Sequence, residues 1–377
     1  MFTTKKIALV SVINDLVTDN RVKKTCITLQ EFGFDVVLIG RHLPSSFPLN
    51  NFPYKTHRMK LFFLRGPLFY LFFNLRLFLK LLFSRCHLLY ANDLDTLVPN
   101  YLVSKIKSIP LIYDSHELFC EVPELLKSPI KKRIWLFFES KIVPRLSNCI
   151  TVNDSIANIF EKNYKTKFNV VRNISEVENN FQPKPKTDLN LPLDKKIILL
   201  QGAGINIDRG AEELIDAMSF VDGALLLIIG SGDVWSVLES KIKIKGLTNK
   251  ISLIYKIPKN ELMHYTYNAD LGLSLDKNTN LNYYYSLPNK IFDYLQAGIP
   301  ILASRLPEIE KIITKYNIGD FIDSHEPKAI AAKINEMLFS DKLRFYKSNI
   351  AFVNSQINWH EEKKKLIAVI KDATAFL

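Results

Sequence analysis

The sequence predicts an α/β protein of two domains, each wound around its own parallel β-sheet. Three observations predict it. The chain of 377 residues is too long for one ordinary domain and suits two of roughly 150–200 residues each. Short apolar runs alternate with amphipathic stretches, as βα units require. The alternation breaks once, at the polar, proline-containing stretch Glu176–Asp188, and restarts at Ile197. With 47% hydrophobic and 23% charged residues, the composition is that of a core-forming chain and excludes a disordered one.

In the first half, strands are expected at Ile7–Ile13, Val36–Ile39, Leu88–Tyr90, Leu111–Tyr113 and Cys149–Val152. Helices are expected at Arg21–Phe32, closed by Gly33, then at Pro67–Phe83, Leu97–Ile106, Lys132–Leu146 and Ser155–Tyr164, with Asp154 and Ser155 supplying cap chemistry for the last. Glu176–Asp188 has the composition of a linker. Beyond it, strands are expected at Ile197–Gln201, Ala224–Ile229, Ile251–Tyr255, Leu271–Leu275, Pro300–Ala303 and Gly319–Ile322. The helices between them are Ala211–Phe220, Val234–Ile244, Lys259–Tyr267, Asn289–Gln296, Pro307–Lys315 and Pro327–Phe339, and Trp359–Phe376 closes the chain as an amphipathic helix. The expected division is a first domain over 1–176, a linker over 177–196, a second domain over 197–358 and a terminal helix over 359–377. Two Rossmann-like sheets joined in this way predict a cleft between domains as the ligand site.

The four cysteines (Cys26, Cys86, Cys120, Cys149) show no CxxC pair and no metal-ligand spacing, so they read as buried free thiols of a reducing compartment. No cleavable leader is visible before the first strand, and a cytoplasmic location is expected. The net charge of +12 is uneven. Residues 1–180 carry 25 Lys and Arg against 15 Asp and Glu, and the remainder 25 against 23. A basic first half suits an anionic partner, and no recognition motif for nucleic acid accompanies it. Pro67–Phe83, reading PLFYLFFNLRLFLKLLF, is short for a membrane span and interrupted by Asn74, Arg76 and Lys80. With Arg65 and Arg85 at its flanks it reads as a helix lying in a lipid headgroup layer, its cations on anionic lipid. Lys127–Arg133, followed by Ile134–Phe138, repeats the mixture of cations and large apolar residues.

Chemistry concentrates in Ser286–Ser304, SLPNKIFDYLQAGIPILAS. Pro288 opens a helix at Asn289, whose first-turn N–H groups have no intrahelical partner, and Lys290 adds a cation there. A helix N-terminus with a lysine is suited to a diphosphate. Asp293, three residues past Lys290 and so close to the same helical face one turn deeper, is a carboxylate for a ribose diol, Gly298 ends the helix, and Pro300 opens a strand. The stretch resembles the sugar-nucleotide signature of glycosyltransferase family 4, P-x-K-x-x-E-Y-x-x-x-G-x-P. Pro288, Lys290, Tyr294, Gly298 and Pro300 fall in register, Asp293 stands for the glutamate, and the family's upstream glutamate falls at Tyr285.

That resemblance spans nearly the whole chain and implies a GT-B fold, with the Trp359 helix crossing back to the first domain. It implies transfer of a hexose-type sugar from a nucleotide-sugar donor, with retention and without a metal or other cofactor. Arg209, just before the helix-opening Gly210, matches the family's cation on the diphosphate, while Ala203 stands where many members carry a second arginine. Gly202 and Gly204 form the glycine loop around it, and Gly230 and Gly232 a second turn through which backbone approaches the nucleotide. Lys256 and Ile257 resemble the loop whose main chain reads the base. In the first domain, His116 past the Leu111–Tyr113 strand is implied to contact the donor sugar or to stabilise charge, with Asp114 and Glu117 as further polar groups on the acceptor side. Asp19 and Arg21 match the family's D-x-R-V opening on the acceptor side. Catalytic roles thus fall to His116, Arg209 and Lys290, and donor contacts to the glycines, Lys256, Ile257, Pro288, Asn289 and Asp293.

Asp93-Leu94-Asp95 has the spacing of a metal-binding DxD. With Lys290, Arg209 and the helix dipole supplying positive charge, helix capping ahead of Leu97 is the preferred reading and no metal is expected. The acceptor is expected to be a glycan or lipid-linked glycan of cell-surface polysaccharide assembly, met at the inner face of the cell membrane. Two other readings stay open: a non-catalytic nucleotide-sugar-binding subunit, and a sugar-nucleotide epimerase of the same fold. A dinucleotide dehydrogenase is disfavoured, because no strand leads into an intact GxGxxG.

Overall fold

The computed structural model describes residues 5–17, 19–44, 46, 48–49, 52–176, 181–353 and 356–376. The chain divides into two compact units, Met1–Asn173 with His360–Leu377, and Ile174–Trp359.

The first unit runs β1 (Lys6–Ser11), α1 (Asn20–Glu31), β2 (Phe34–Arg41), β3 (Lys55–Met59), α2 (Gly66–Phe83), β4 (Leu88–Asn92), α3 (Leu94–Lys107), β5 (Leu111–Ser115), α4 (Pro123–Leu126), α5 (Pro129–Ile142), β6 (Asn148–Thr151), α6 (Asp154–Tyr164) and β7 (Phe168–Val170). Among the described residues its sheet has seven strands in the order β3-β2-β1-β4-β5-β6-β7, all parallel. The central strands β4 and β5 are buried along their whole length, as a parallel sheet covered on both faces demands. β3 and β7 escape a pattern search. β3 reads KTHRM and, among the described residues, pairs only with β2 at the sheet edge, where an apolar run is not needed. The cap of α6 is Asn153, whose side chain accepts from the N–H of Ile156 at 2.9 Å, one residue earlier than the expected Asp154–Ser155.

Helix α2 is long and apolar enough to cross a membrane by length and composition. It is nevertheless the crossover between β3 and β4. Phe69, Phe73, Leu77 and Leu81, four apart, form a buried stripe, and α2 packs beside α3. Leu68, Leu71, Leu75, Leu79 and Phe83 form a second apolar stripe on the opposite, exposed side. Arg76 lies beside that stripe and donates to the carbonyl of Lys60 at 2.5 Å. Tyr70 of α2 meets Trp135 of α5 edge-on at 5.3 Å, and α5 exposes Ile130, Ile134 and Phe137.

The second unit runs β8 (Lys196–Gly202), α7 (Ala211–Ala217), β9 (Ala224–Gly230), α8 (Trp235–Ile244), β10 (Ile251–Tyr255), α9 (Lys259–Tyr267), β11 (Leu271–Ser274), α10 (Leu281–Tyr284), α11 (Asn289–Gln296), β12 (Ile301–Ala303), α12 (Pro307–Tyr316), β13 (Gly319–Phe321), α13 (Pro327–Leu338) and α14 (Lys342–Val353). Its parallel sheet is ordered β10-β9-β8-β11-β12-β13, with an apolar cluster on each face. The stretch before β8 is no free tether where it is described. Leu189 and Leu191 enter the second core cluster, and Phe181 stacks on His264 at 4.9 Å. Residues 177–180, the start of the expected linker, lie outside the described residues.

The chain ends in α15 (Trp359–Ala373), which leaves the second unit at Trp359 and packs in the first. Leu366, Val369 and Ile370 of α15 are buried. The Glu362 carboxylate accepts from the N–H of Arg172 at 2.8 Å, and Lys363 pairs with Glu31 of α1. All four cysteines are buried and free.

Candidate functional site

In the second unit the strands end side by side. Gly202 closes β8 opposite Gly230 of β9, and Gly230 lies opposite Tyr255, the last residue of β10. β11 ends at Ser274, and two residues on stands Asp276, which no motif had singled out. Ligands of doubly wound sheets sit at this C-terminal edge.

Asp276 is fully buried and organises the edge. Its Oδ1 accepts from Nη1 of Arg209 at 2.8 Å, and its Oδ2 lies 3.7 Å from Nζ of Lys290 and accepts from the Ser274 hydroxyl at 3.2 Å. The Arg209 guanidinium also lies 4.4 Å from the ring centroid of Tyr283. The loop carrying Arg209 is docked by backbone: the N–H of Lys277 donates to the carbonyl of Asp208 at 2.8 Å. Gly210 has φ +76°, and a Cβ there would come within 2.4 Å of the Leu275 carbonyl oxygen, so only glycine closes this loop.

Two cations thus share one carboxylate, leaving net positive charge beside the N-terminus of α11, an arrangement suited to an anion. Burial raises the Asp276 carboxyl, but Lys290 and Arg209 outweigh it and hold the group below its usual range. Burial lowers Lys290, Asp276 only partly offsets this, and the like charge of Arg209 adds to the lowering. For Arg209, burial is outweighed by Asp276 and Tyr283.

The glycines divide into two kinds. A Cβ on Gly230 or Gly232 would come within 1.8 Å of the Gly202 carbonyl or 1.9 Å of the Ile205 carbonyl, so these two admit the Gly202–Ile205 backbone. The two loops are joined by Ile205 N–H to Ser231 O at 2.8 Å and by Asp233 Oδ1, which accepts from Ile207 N–H at 2.9 Å. A Cβ on Gly202 or Gly204 would meet nothing closer than 3.6 Å. Gly230 and Gly232 therefore answer first to the neighbouring loop.

Asp293 turns away from Lys290. Its Oδ1 accepts from the Ser175 hydroxyl at 2.5 Å and from Lys259 at 3.3 Å, and its Oδ2 from the Gln201 amide at 3.0 Å. The expected shared face of Lys290 and Asp293 is not seen, because the long lysine reaches Asp276 just past β11 while the short, buried carboxylate meets Gln201 of β8 and Ser175. Tyr294 is fully buried and ties α11 to the sheet, its hydroxyl donating towards Leu199 O at 3.0 Å and Leu273 O at 3.2 Å. Pro288 is the N-cap of α11 and Asn289 its exposed first residue. Lys256 is exposed, and Ile257 packs half-buried on the second core cluster.

In the first unit His116 lies just past β5, between two carboxylates. Asp93 Oδ1 accepts from the His116 main-chain N–H at 2.8 Å, and Asp93 Oδ2 lies 3.1 Å from Nδ1. Nε2 is 3.8 Å from Asp114 Oδ2, beyond hydrogen-bond reach. Asp114 takes Arg21 at both oxygens, Nε–Oδ2 3.0 Å and Nη2–Oδ1 2.7 Å, and the Tyr90 hydroxyl at 2.8 Å. Arg21 further donates to Val171 O at 2.7 Å. Burial opposes charge on His116, but Asp93 and Asp114 outweigh it and keep the imidazole protonated well above the usual histidine range. Burial likewise opposes charge on Asp114, and Arg21 and His116 hold it well below the carboxylate range.

Arg21 and Asp114, expected on the acceptor side, are buried against each other as a support for His116. Asp19 caps α1, accepting from Arg21 N–H at 3.0 Å and Val22 N–H at 3.1 Å. Half-buried Glu117 follows His116, its carbonyl accepting from the Ser115 hydroxyl at 2.9 Å. Asp93 does not cap α3 as expected, because its carboxylate is turned to His116. Asp95 is buried, and burial together with the charge of Asp93 raises its carboxyl well above the usual range.

Two family models match the chain: Glycosyltransferase Family 4 over residues 19–176, and Glycosyl transferases group 1 over residues 182–351. The chitobiosyldiphosphodolichol beta-mannosyltransferase of Candida albicans is 24% identical over 276 residues, which are 67% of this chain and 59% of that protein. The chain therefore spans less than two thirds of that relative's length. Among solved structures, sucrose-phosphate synthase from Thermosynechococcus elongatus superposes with a TM-score of 0.77 at 18% identity, covering 99% of this chain and 100% of the other. Anabaena HepE in complex with UDP and glucose gives 0.75 at 16%, with coverage of 99% and 100%. The fold is that of the GT-B glycosyltransferases. The chain belongs to the glycosyltransferase family 4 group, an enzyme family.

Proposed function

We propose that the protein transfers a hexose-type sugar from a nucleoside-diphosphate sugar to a lipid-linked glycan acceptor. The observation that carries this is the convergence of Arg209 and Lys290 on buried Asp276 beside the N-terminus of α11. Such a site stabilises the charge that grows on a departing diphosphate, and it does so without reorganising. The UDP and glucose of the HepE structure support the donor class, and the dolichol-linked acceptor in the mannosyltransferase's name supports the acceptor class. Departure of the diphosphate is the driving step, the sugar keeps its anomeric configuration, and the two cations do the work a metal would otherwise do. Gly202 and Gly204 leave room at the donor, and His116 serves charge stabilisation.

The test is a thermal-shift screen of UDP- and GDP-sugars, followed by turnover with the stabilising donor. Arg209→Ala and Lys290→Ala are each expected to lower turnover by about 10²-fold. Near-normal turnover in either would overturn the reading.

The protein would work peripherally on the cytoplasmic face of a membrane, in polysaccharide assembly. The exposed leucine stripe of α2, with Arg65, Arg76, Lys80 and Arg85 around it and the apolar residues of α5 beside it, supports this reading. Each cation near anionic lipid contributes up to about 1 kcal/mol. Failure to pellet with phosphatidylserine vesicles, with Leu71→Asp/Leu75→Asp behaving as wild type, would rule it out.

A further inference from the structure

Asp93 occupies the position just before α3, where a carboxylate ordinarily accepts from the helix's first N–H groups. It makes no such bond. Its backbone sits at φ +59° and ψ 167°, a conformation that favours glycine and strains any other residue. Its N–H donates to Asp114 O at 2.9 Å, which ties the strained turn to β5. The carboxylate it delivers holds His116 at two points, the main-chain N–H at 2.8 Å and Nδ1 at 3.1 Å. The fold forgoes a helix cap and accepts backbone strain, and what results is a histidine with one ring orientation. Strain retained in this way points to function.

We propose that Asp93 is a positioning residue for sugar transfer, fixing the His116 ring at the C-terminal edge of the first sheet by gripping its main-chain N–H and Nδ1–H together. The inference rests on the reading of His116 as a group that serves the transfer. With Nδ1–H bound to Asp93, Nε2–H is directed to the Asp114 side, where the carboxylate already holds Arg21 and Tyr90 and stands 3.8 Å away. The ring therefore cannot turn without breaking the Asp93 contact. The titratable and charged groups around it are Asp93 and Asp95 at the start of α3, Asp114 on β5, Glu117 in its own loop, Arg21 from α1, and Arg41 from the end of β2 acting through Asp95. Burial disfavours the imidazolium, and Asp93 then Asp114 outweigh it.

The experiment titrates the imidazole nitrogens of His116 by NMR in the full chain, for wild type, Asp93→Asn and Asp93→Gly. Release of UDP from UDP-glucose, or of GDP from GDP-mannose, is measured across pH in parallel. Wild-type His116 should stay protonated far above the ordinary value of about 6.5, while Asp93→Asn should titrate close to it. In Asp93→Asn, kcat should fall about tenfold or more with little change in donor KM, and its alkaline limb should move to lower pH. Asp93→Gly relieves the backbone, so it should melt no lower than Asp93→Asn while losing as much activity. An unchanged His116 titration in Asp93→Asn, or wild-type kcat across pH, overturns the inference. If His116→Ala is inactive and Asp93→Asn is not, the inference about Asp93 alone fails. If His116→Ala turns over normally, the reading of His116 fails with it.

Discussion

Asp276→Asn is the sharpest single perturbation of the second unit. It keeps the shape of a fully buried side chain and removes the one negative charge shared by Arg209 and Lys290. Breaking a buried ion pair by removing one partner costs about 3–5 kcal/mol, because the remaining charge is left uncompensated. Here two cations are left, but the Arg209 side chain is 25% exposed, so water partly compensates and the lower end, about 3 kcal/mol, is expected. For a unit of this size that is a fall in Tm of about 6–12 °C. A diphosphate placed against the same cations would replace the missing charge. A unit charge at contact distance is worth about 1 kcal/mol even when screened by water, so UDP should raise the Tm of the variant more than that of wild type. The assay is thermal unfolding with and without UDP, following the transition that moves with nucleotide. Wild-type Tm in the variant, or an equal or smaller UDP response, would refute the idea that Asp276 is the counter-charge of the anion site.

Gly272→Ala should be strongly destabilising, because its Cβ would lie 2.5 Å from the Tyr294 ring that anchors α11, and circular-dichroism melting would register it. Gly230→Ala should prevent stable folding while Gly204→Ala folds normally, as expression and Tm will show; a loss of nucleotide affinity in folded Gly204→Ala would place a ligand at that Cα. Asp114 has a folded pKa below its unfolded value of about 3.9, so its contribution is present above that pH and is lost as pH falls through the folded value. His116 has the opposite sign: its contribution is full below about 6.5 and is lost as pH rises through a folded pKa well above that. The first unit's urea midpoint should therefore decline on both sides, the alkaline decline disappearing in His116→Gln. Burial and the charge of Asp93 raise the Asp95 carboxyl well above its usual range, so Asp95→Asn should raise Tm at neutral pH and the gain should shrink on acidification.

The strands and helices with strong periodicity were legible in the sequence, and β10, α9 and α11 begin and end where the pattern places them. β3 was not, because an edge strand paired on one side needs no apolar run, and α14 was not, because only Leu343, Ile350 and Val353 are buried along it. Arg209 and Lys290 could be named from a motif, whereas Asp276 is a single acid after a strand, and only three-dimensional convergence reveals it. Asp93 carried a cap signal that local sequence favours, but a partner 23 residues away claimed the carboxylate. Helical spacing placed Asp293 near Lys290, yet side-chain length and the Gln201–Ser175–Lys259 partners turned the two apart.

Helix α15 gives the chain an order of assembly. The first unit is encoded in two pieces with the whole second unit between them, and its last helix supplies buried Leu366, Val369 and Ile370. During synthesis the second unit can therefore close before the first, although its residues emerge later. Until α15 arrives, the surface it covers beside α1 and Arg172 stays open to other apolar segments and to proteases. A lesion in α15 should thus appear as a failure of the amino-terminal unit to mature, far from the altered codon.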